Sequence, residues 1–217
     1  MTNCRIVLAD DHSMLREGLK SLLGAMPGIT VVGEADNGRD AVRLCHELGP
    51  DLVIMDVATP ELNGIEATRQ IVANAAGTKV IALSMHSTKR FVLDMLQAGA
   101  VAYLLKNSAF RELAEAIATV RAGRAYISPA VASIVVERVA APETSMTTGP
   151  FKLTPREREV LQLIAEGKKA HDVAAKLHLR TKTVQTHRRN IMAKLNMFTL
   201  PELTKYAIQQ GLTSLEP

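Results

Sequence analysis

The sequence predicts an α/β domain followed by a small all-α domain. Across residues 1–122, short apolar runs rich in Val and Ile alternate about five times with segments of helical periodicity. That alternation is typical of a doubly wound parallel sheet with helices on both faces. Across residues 151–217 only helical periodicity remains. The net charge changes at the same place, from −2 over residues 1–122 to +6 over residues 151–217.

The composition is that of a globular protein without membrane spans. Of the 217 residues, 47% are hydrophobic and 22% charged, which is enough apolar material for two cores. No apolar run approaches the roughly 20 residues that cross a bilayer, and a strand-like run begins at Arg5. We therefore expect no signal peptide, no membrane partner and a cytoplasmic location. Cys4 and Cys45 lie in apolar segments and are predicted to be buried free thiols, and the six histidines show no metal-ligand spacing.

Five strands and five helices are predicted in the first domain. The strands are residues 5–9, 30–33, 51–56, 79–83 and 101–105, and the helices run through residues 15–23, 38–48, 64–73, 91–96 and 110–120. Right-handed crossovers and this alternation predict a five-stranded, flavodoxin-like sheet of order 2-1-3-4-5. Residues 126–129 are predicted to begin a short helix through Val131, Ile134 and Val135. Residues 140–150 are small, polar and bounded by proline, so residues 123–150 are interpreted as a linker.

Polar side chains follow the predicted strands where each one ends. Asp10 and Asp11 follow the first strand, Asp56 ends the third, and Ser84 and Lys106 follow the fourth and fifth. In the predicted order the first and third strands are neighbours, so their carboxylates converge at one edge of the sheet. Converging carboxylates need a cation, and oxygen ligands suit Mg²⁺. With Lys106 and Ser84 as partners for a second anionic group, the set fits phosphoryl transfer onto a carboxylate.

The residues alone leave other interpretations open. A single acid at a strand end is more often a solvated helix cap than a functional residue. For the whole set of polar residues together, the functional interpretation is favoured. An aspartyl-nucleophile phosphatase also places an Asp after an apolar strand. It requires a second carboxylate two residues later, where this chain has Ala58.

Residues 1–122 resemble a response-regulator receiver domain, and Leu83–His86 with Gly99–Lys106 resemble its NarL/FixJ branch. The resemblance implies that Asp56 accepts a phosphoryl group from a histidine kinase, and that Asp10, Asp11, Asp56 and the backbone carbonyl of Ala58 bind Mg²⁺. It also implies that Lys106 contacts the acyl phosphate, while Ser84 and Tyr103 couple it to the far face of the domain. One position departs from the family, because Thr59 stands where a Met usually precedes the loop proline. This departure bears on the lifetime of the phosphate rather than on phosphorylation itself.

The last block predicts four helices. Thr154, Pro155 and Glu157 form a strong helix-start signature, and Thr199 to Glu202 repeat it. A short second helix passes through Val173 and Leu177, a turn follows at residues 178–180, and a third helix covers residues 181–195. Short helices joined by a tight turn indicate a helix-turn-helix unit.

One face of the third helix is predicted to be free. At about 100° per residue, Val184, Ile191 and Leu195 form its buried stripe. The opposite face carries polar and small residues, namely Lys182, Thr186, Arg189 and Ala193, with Gln185 and Asn190 on the flanks. Such a face suits a DNA major groove, although an ordinary solvated face has the same charge. His187 and Arg188 are predicted nearer the core side, in packing or phosphate contact.

The run Leu153–Leu161, with Thr183-Val184 and His187–Ile191, resembles a LuxR-type helix-turn-helix domain. The resemblance implies DNA contacts on the third helix, at Lys182, Thr183, Gln185, Thr186, His187, Arg188 and Arg189. Two places depart from the family. Lys169 and Ala170 replace a hydroxyl residue and Asn before the second helix, and Arg180 replaces a Ser after the turn.

Together the two halves are identified as a two-component response regulator rather than an enzyme in its own right. The resemblance implies a sensor histidine kinase and double-stranded DNA as partners, a homodimer when phosphorylated, and contact with RNA polymerase. A receiver that works as an interaction module without phosphorylation is the alternative. We expect the Lys106 ammonium to matter to signalling more than to folding.

Overall fold

The structure, a computed structural model, describes residues 3–75, 77–140 and 153–213. The chain forms two compact units, Met1–Pro142 and Glu143–Pro217. The predicted domain limits at 122 and 150 stay predictions, because residues 141–152, including most of the predicted linker segment 140–150, lie outside the described residues. No helix in the described ranges is both long enough and apolar enough to cross a membrane.

A parallel sheet forms the centre of the first unit. Its strands are β1 (Cys4–Ala9), β2 (Ile29–Ala35), β3 (Leu52–Asp56), β4 (Lys79–Ser84), β5 (Ala102–Leu105) and β6 (Tyr126–Ile127), in the order β2-β1-β3-β4-β5-β6. The predicted fold class and the order of the first five strands are confirmed. Residues 126–127 were expected to begin a helix, and that expectation is wrong: they pair with Ala102 and Tyr103 of β5. A two-residue edge strand is too short to show an apolar periodicity, and it covers an edge of β5 that would otherwise be unpaired.

In the described part of the first unit, six helices cover the sheet: α1 (Ser13–Gly24), α2 (Gly38–Leu48), α3 (Gly64–Asn74), α4 (Lys89–Gln97), α5 (Ala109–Arg121) and α6 (Pro129–Ala140). Alternate strand residues point to opposite faces and form two cores. Val53, Met55 and Tyr103 pack with α2, α3, α4 and α6. Ile54 and Leu83 pack with α1 and α5 on the other face. Cys4 and Cys45 are buried free thiols, as predicted.

Two glycines let the loop after β3 pack tightly. A Cβ at Gly64 would lie 1.9 Å from the carbonyl oxygen of Asp56, and one at Gly38 would lie 1.9 Å from that of Leu62. The side chain of Asn63 caps α3 by accepting the Glu66 N–H at 2.9 Å. The loop therefore runs directly from the end of β3 into α3, which fixes the backbone that carries Asp56.

The second unit contains the helices α7 (Pro155–Ala165), α8 (Ala170–Lys176), α9 (Thr181–Leu195) and α10 (Leu200–Gln209). Thr154 with Glu157 and Thr199 with Glu202 form complete capping boxes at α7 and α10, each with Pro in the first turn. The core of this unit is built from aliphatic residues of all four helices, including Val160, Leu161, Val173, Val184, Ile191 and Leu203.

Candidate functional site

Three charged side chains from three strands meet at the carboxyl edge of the sheet. Asp10 follows β1, Asp56 ends β3 and Lys106 follows β5. The Lys106 Nζ lies 2.8 Å from Asp56 Oδ2 and 2.9 Å from Asp10 Oδ2, and the side chains are 5%, 2% and 4% exposed respectively. They converge because the first and third strands are neighbours, as the predicted order requires.

Two further side chains complete an acidic cluster at the start of α1. Ligand atoms of Asp10, Asp11, His12 and Asp56 all lie within 4.8 Å of one another. His12 Nδ1 is 2.9 Å from Asp11 Oδ1 and 3.1 Å from Asp10 Oδ1. Sequence spacing among the histidines did not indicate a ligand, and His12 is therefore a residue that sequence reasoning missed. The available signal was its place directly after Asp10 and Asp11.

The cluster carries more negative than positive charge. Burial raises the pKa of Asp56 to about 6, although the Lys106 ammonium acts in the opposite direction. Burial works to lower the pKa of Lys106, but the carboxylates of Asp56 and Asp10 outweigh it and the pKa is raised. Lys106 therefore stays an ammonium at neutral pH. One ammonium among three carboxylates leaves the site attractive to a divalent cation.

The donor set fits Mg²⁺. Asp10 Oδ2 is buried, and the Lys106 ammonium lies 2.9 Å from it. Carboxylate oxygens are the ligands that Mg²⁺ prefers, usually with several waters retained. Asp10, Asp11 and Asp56 would hold the ion. Ala58 lies in the same loop, and its N–H donates to Asp56 Oδ1 at 3.3 Å.

Ser84 and Tyr103 both contact the backbone of His86, in the loop after β4. The Ser84 Oγ accepts the His86 N–H at 3.0 Å, and the Tyr103 hydroxyl donates to the His86 carbonyl at 2.7 Å. Burial raises the pKa of Tyr103 to about 12. The His86 ring stacks on Phe91 of α4, with centroids 4.5 Å apart. This loop links the strand-end site to α4. The contacts of His86 were not predicted, because its only signal in the sequence is its place after Ser84.

Thr59, the departure from the family pattern, is buried and has a structural contact. Its hydroxyl donates to the carbonyl of Leu62 at 2.8 Å. The bond closes the loop between Asp56 and α3. A hydroxyl here replaces the apolar packing of a Met with a hydrogen bond inside the loop.

Helix α9 presents most of its predicted DNA-contacting residues to solvent. Lys182, Gln185, Thr186 and Arg189 are exposed, and Val184 and Ile191 are buried. Thr183 and His187, also predicted to contact DNA, are half-buried.

Arg188 was predicted near the core side, in packing or phosphate contact; its side chain is exposed, so packing is wrong and phosphate contact stays a prediction. A long guanidinium side chain at the edge of an apolar stripe carries its charge out to water.

The departures from the family pattern fall on the starts of α8 and α9. Lys169 and Arg180 occupy the N-cap positions, and neither side chain makes a capping hydrogen bond. The last turn of α9 is anchored instead. The Lys194 ammonium lies 2.7 Å from Glu157 Oε2, the carboxylate that also caps α7. Burial alone would raise the pKa of Glu157, but Lys194 and Thr154 lower it.

Comparison with known proteins agrees with both units. Residues 6–118 match the family described as response regulator receiver domain, and residues 152–207 match the bacterial regulatory proteins of the luxR family. The response regulator UvrY of Escherichia coli (strain K12) is 37% identical over 212 residues, 97% of this chain and 96% of UvrY. The transcriptional regulatory protein LiaR of Bacillus subtilis (strain 168) is 38% identical over 211 residues, 97% of this chain and 99% of LiaR.

A solved relative shares the two-part organisation. RcsB of Salmonella enterica serovar Typhimurium, solved bound to a promoter in the presence of the phosphomimetic BeF₃⁻, is 25% identical with a TM-score of 0.61. The match covers 98% of this chain and all of that one. Fold, acidic site and helix-turn-helix unit together define a receiver joined to a DNA-binding unit. The chain belongs to the NarL/FixJ family of response regulators and is a two-component transcription regulator, as the resemblance predicted.

Proposed function

We propose that Asp56 accepts a phosphoryl group from a sensor histidine kinase and that this modification controls DNA binding by the second unit. The observation that carries the proposal is the buried Asp56 carboxylate, held 2.8 Å from the Lys106 ammonium beside two further carboxylates. A carboxylate with a pKa of about 6 is mostly ionised at pH 7.5, so it is ready to act as a nucleophile.

The transfer needs positioning and charge neutralisation more than covalent chemistry from the protein. A bond forms between an Asp56 oxygen and phosphorus, and the phosphorus–nitrogen bond of the donor phosphohistidine breaks. The Lys106 ammonium, now paired with Asp56 Oδ2, is placed to contact the transferred phosphoryl oxygens. Asp10, Asp11 and Asp56 would hold Mg²⁺, which would supply further neutralisation of the anionic groups.

A chain of hydrogen bonds supports coupling from this site to the end of the first unit. The Ser84 hydroxyl holds the His86 N–H, and the Tyr103 hydroxyl holds the His86 carbonyl. The Tyr103 carbonyl in turn accepts the N–H of Ser128 at 2.9 Å, directly before α6. A phosphoryl group that rearranges Ser84 would therefore shift the start of α6. This helix precedes the second unit along the chain.

The second unit would bind DNA through α9. Lys182 and Arg189 are exposed on a basic unit, and the helix is fixed in place by Lys194 and Glu157. RcsB, which shares this organisation, was solved on promoter DNA with a phosphomimetic, which supports the same order of events here. We infer that the phosphorylated chain dimerises on paired half-sites in the cytoplasm, where it can contact RNA polymerase.

Mass spectrometry after treatment with acetyl phosphate and Mg²⁺ tests the proposal. Wild type should gain one phosphoryl group, and Asp56→Asn should gain none. Asp36→Asn is the matched control, because Asp36 is an exposed acid directly after β2, at the same edge of the sheet but outside the cluster. Labelling that persists in Asp56→Asn, or that is lost equally in Asp36→Asn, would overturn the assignment.

A further inference from the structure

The imidazole of His12 is placed where a fourth ligand of the acidic cluster would be. Its Nδ1 lies 2.9 Å from Asp11 Oδ1 and 3.1 Å from Asp10 Oδ1. Neighbouring ligands of a six-coordinate ion with bonds of about 2.1 Å are about 3 Å apart. The two distances from His12 Nδ1 match that spacing.

The backbone holds His12 in this position. Its N–H donates to Asp10 Oδ1 at 2.8 Å, and its carbonyl accepts the Arg16 N–H in the first turn of α1. The side chain is 51% exposed, so ions and water reach it. The imidazole does not cap the helix, because α1 has no side-chain cap bond at His12. Its orientation towards the carboxylates is therefore not explained by the helix start.

His12 Nδ1 lies among the charged groups of the cluster. It is close to one carboxylate oxygen each of Asp10 and Asp11 and lies 3.3 Å from the Lys106 ammonium. The atom is therefore in position to join the two carboxylates around one cation.

We propose that His12 Nδ1 is a ligand of this cation site and makes it a mixed nitrogen and oxygen site that prefers first-row transition ions to Mg²⁺. The inference rests on the cation site of the proposed function. Imidazole favours Ni²⁺ and its neighbours in the first row, whereas Mg²⁺ is served by oxygen. The Mg²⁺ affinity then depends on the carboxylates alone, and the preference for a transition ion depends on His12.

Calorimetric titration of the full, untagged chain with Ni²⁺ and with Mg²⁺ separates these contributions. His12→Asn puts an amide oxygen near the position of Nδ1, and His46→Asn, on the exposed surface of α2, is the matched control. We expect His12→Asn to weaken Ni²⁺ binding by about tenfold or more and Mg²⁺ binding by less than about threefold. His46→Asn should change neither.

Pulsed EPR of bound Mn²⁺ adds a direct signature. Wild type should show coupling to an imidazole ¹⁴N, and His12→Asn should lose it. An equal loss of Ni²⁺ and Mg²⁺ affinity, or ¹⁴N coupling that persists in His12→Asn, would overturn the ligand role. If wild type bound neither ion, the cation site of the proposed function would fail together with this inference. Normal Mg²⁺ binding with no effect of His12→Asn would defeat the inference alone.

Discussion

Replacement of Asp56 by Asn should stabilise the chain at pH 7.5 in the absence of divalent cations. The pKa of Asp56 is about 6 in the folded chain, against 3.8 when unperturbed. A difference of about 2 units corresponds to about 3 kcal/mol. Since the folded pKa is the higher one, the contribution to stability is present in full below about pH 4 and is lost as the pH rises through about 6. At pH 7.5 the ionised carboxylate therefore costs the folded state up to about 3 kcal/mol.

The pKa of about 6 already includes the attraction of the Lys106 ammonium, which lies 2.8 Å from Asp56 Oδ2. Asn resembles the protonated form of Asp56, because it carries no charge and its amide oxygen still accepts a hydrogen bond. Lys106 also keeps its ion pair with Asp10. The expected stabilisation is therefore up to about 3 kcal/mol at pH 7.5, and it should shrink as the pH falls towards 4.

Urea unfolding in the presence of a chelator measures this difference. Near-ultraviolet circular dichroism reports Tyr103 and Tyr126 of the first unit together with Tyr206 of the second, and the transition that shifts in Asp56→Asn is assigned to the first unit. Asp36→Asn serves as the control at the same edge of the sheet. An Asp56→Asn variant that is less stable than wild type at pH 7.5, or whose advantage is the same at pH 7.5 and pH 4.5, would refute the reasoning.

Four other substitutions test the remaining assignments. Lys106→Ala leaves two buried carboxylates without their counter-charge and should cost about 3–5 kcal/mol in urea unfolding without Mg²⁺, whereas an unchanged midpoint would show that the ion pairs do not stabilise the fold. In duplex titrations, Arg189→Ala should cost about 1–3 kcal/mol of binding free energy on a specific site and relax sequence preference. Lys182→Ala should weaken binding to all sequences alike and lower the salt slope by about one ion. Equal behaviour of the two variants would contradict the orientation given to α9. Arg180→Ser should add a cap that stabilises the second unit by about 0.5–1 kcal/mol, read from far-ultraviolet melting, and weaken DNA binding in the same titrations.

The sequence predicted most of the fold because local and tertiary signals agree. The helix Gly38–Leu48 begins and ends where the apolar periodicity does, and Asn37 supplies its cap. The capping box at Thr154 and Glu157 was predicted from four residues and is present. The strand β6 was not predicted, because its two residues pair only through contact with β5, which no local pattern encodes.

The candidate site also has a part that the sequence predicted and a part that it did not. Asp10, Asp56 and Lys106 could be placed together because strand ends and strand order determine where they lie. The burial of Lys106 could not be predicted from the sequence, because it depends on the positions of both carboxylates. For this reason the expectation that Lys106 matters little to folding is revised, with its side chain only 5% exposed between two acids. His12 was missed because its contacts arise from the turn into α1 rather than from its spacing to other histidines.

The dissociation constant for a duplex selected from a random pool, measured with Mg²⁺ in the presence and absence of acetyl phosphate, tests the central claim most directly. Coupling of about 1–3 kcal/mol predicts that phosphorylation tightens binding by about 5- to 150-fold in wild type and has no effect in Asp56→Asn. An unchanged dissociation constant in wild-type chain that mass spectrometry shows to be phosphorylated on Asp56 would contradict the account and favour a receiver that acts without phosphorylation.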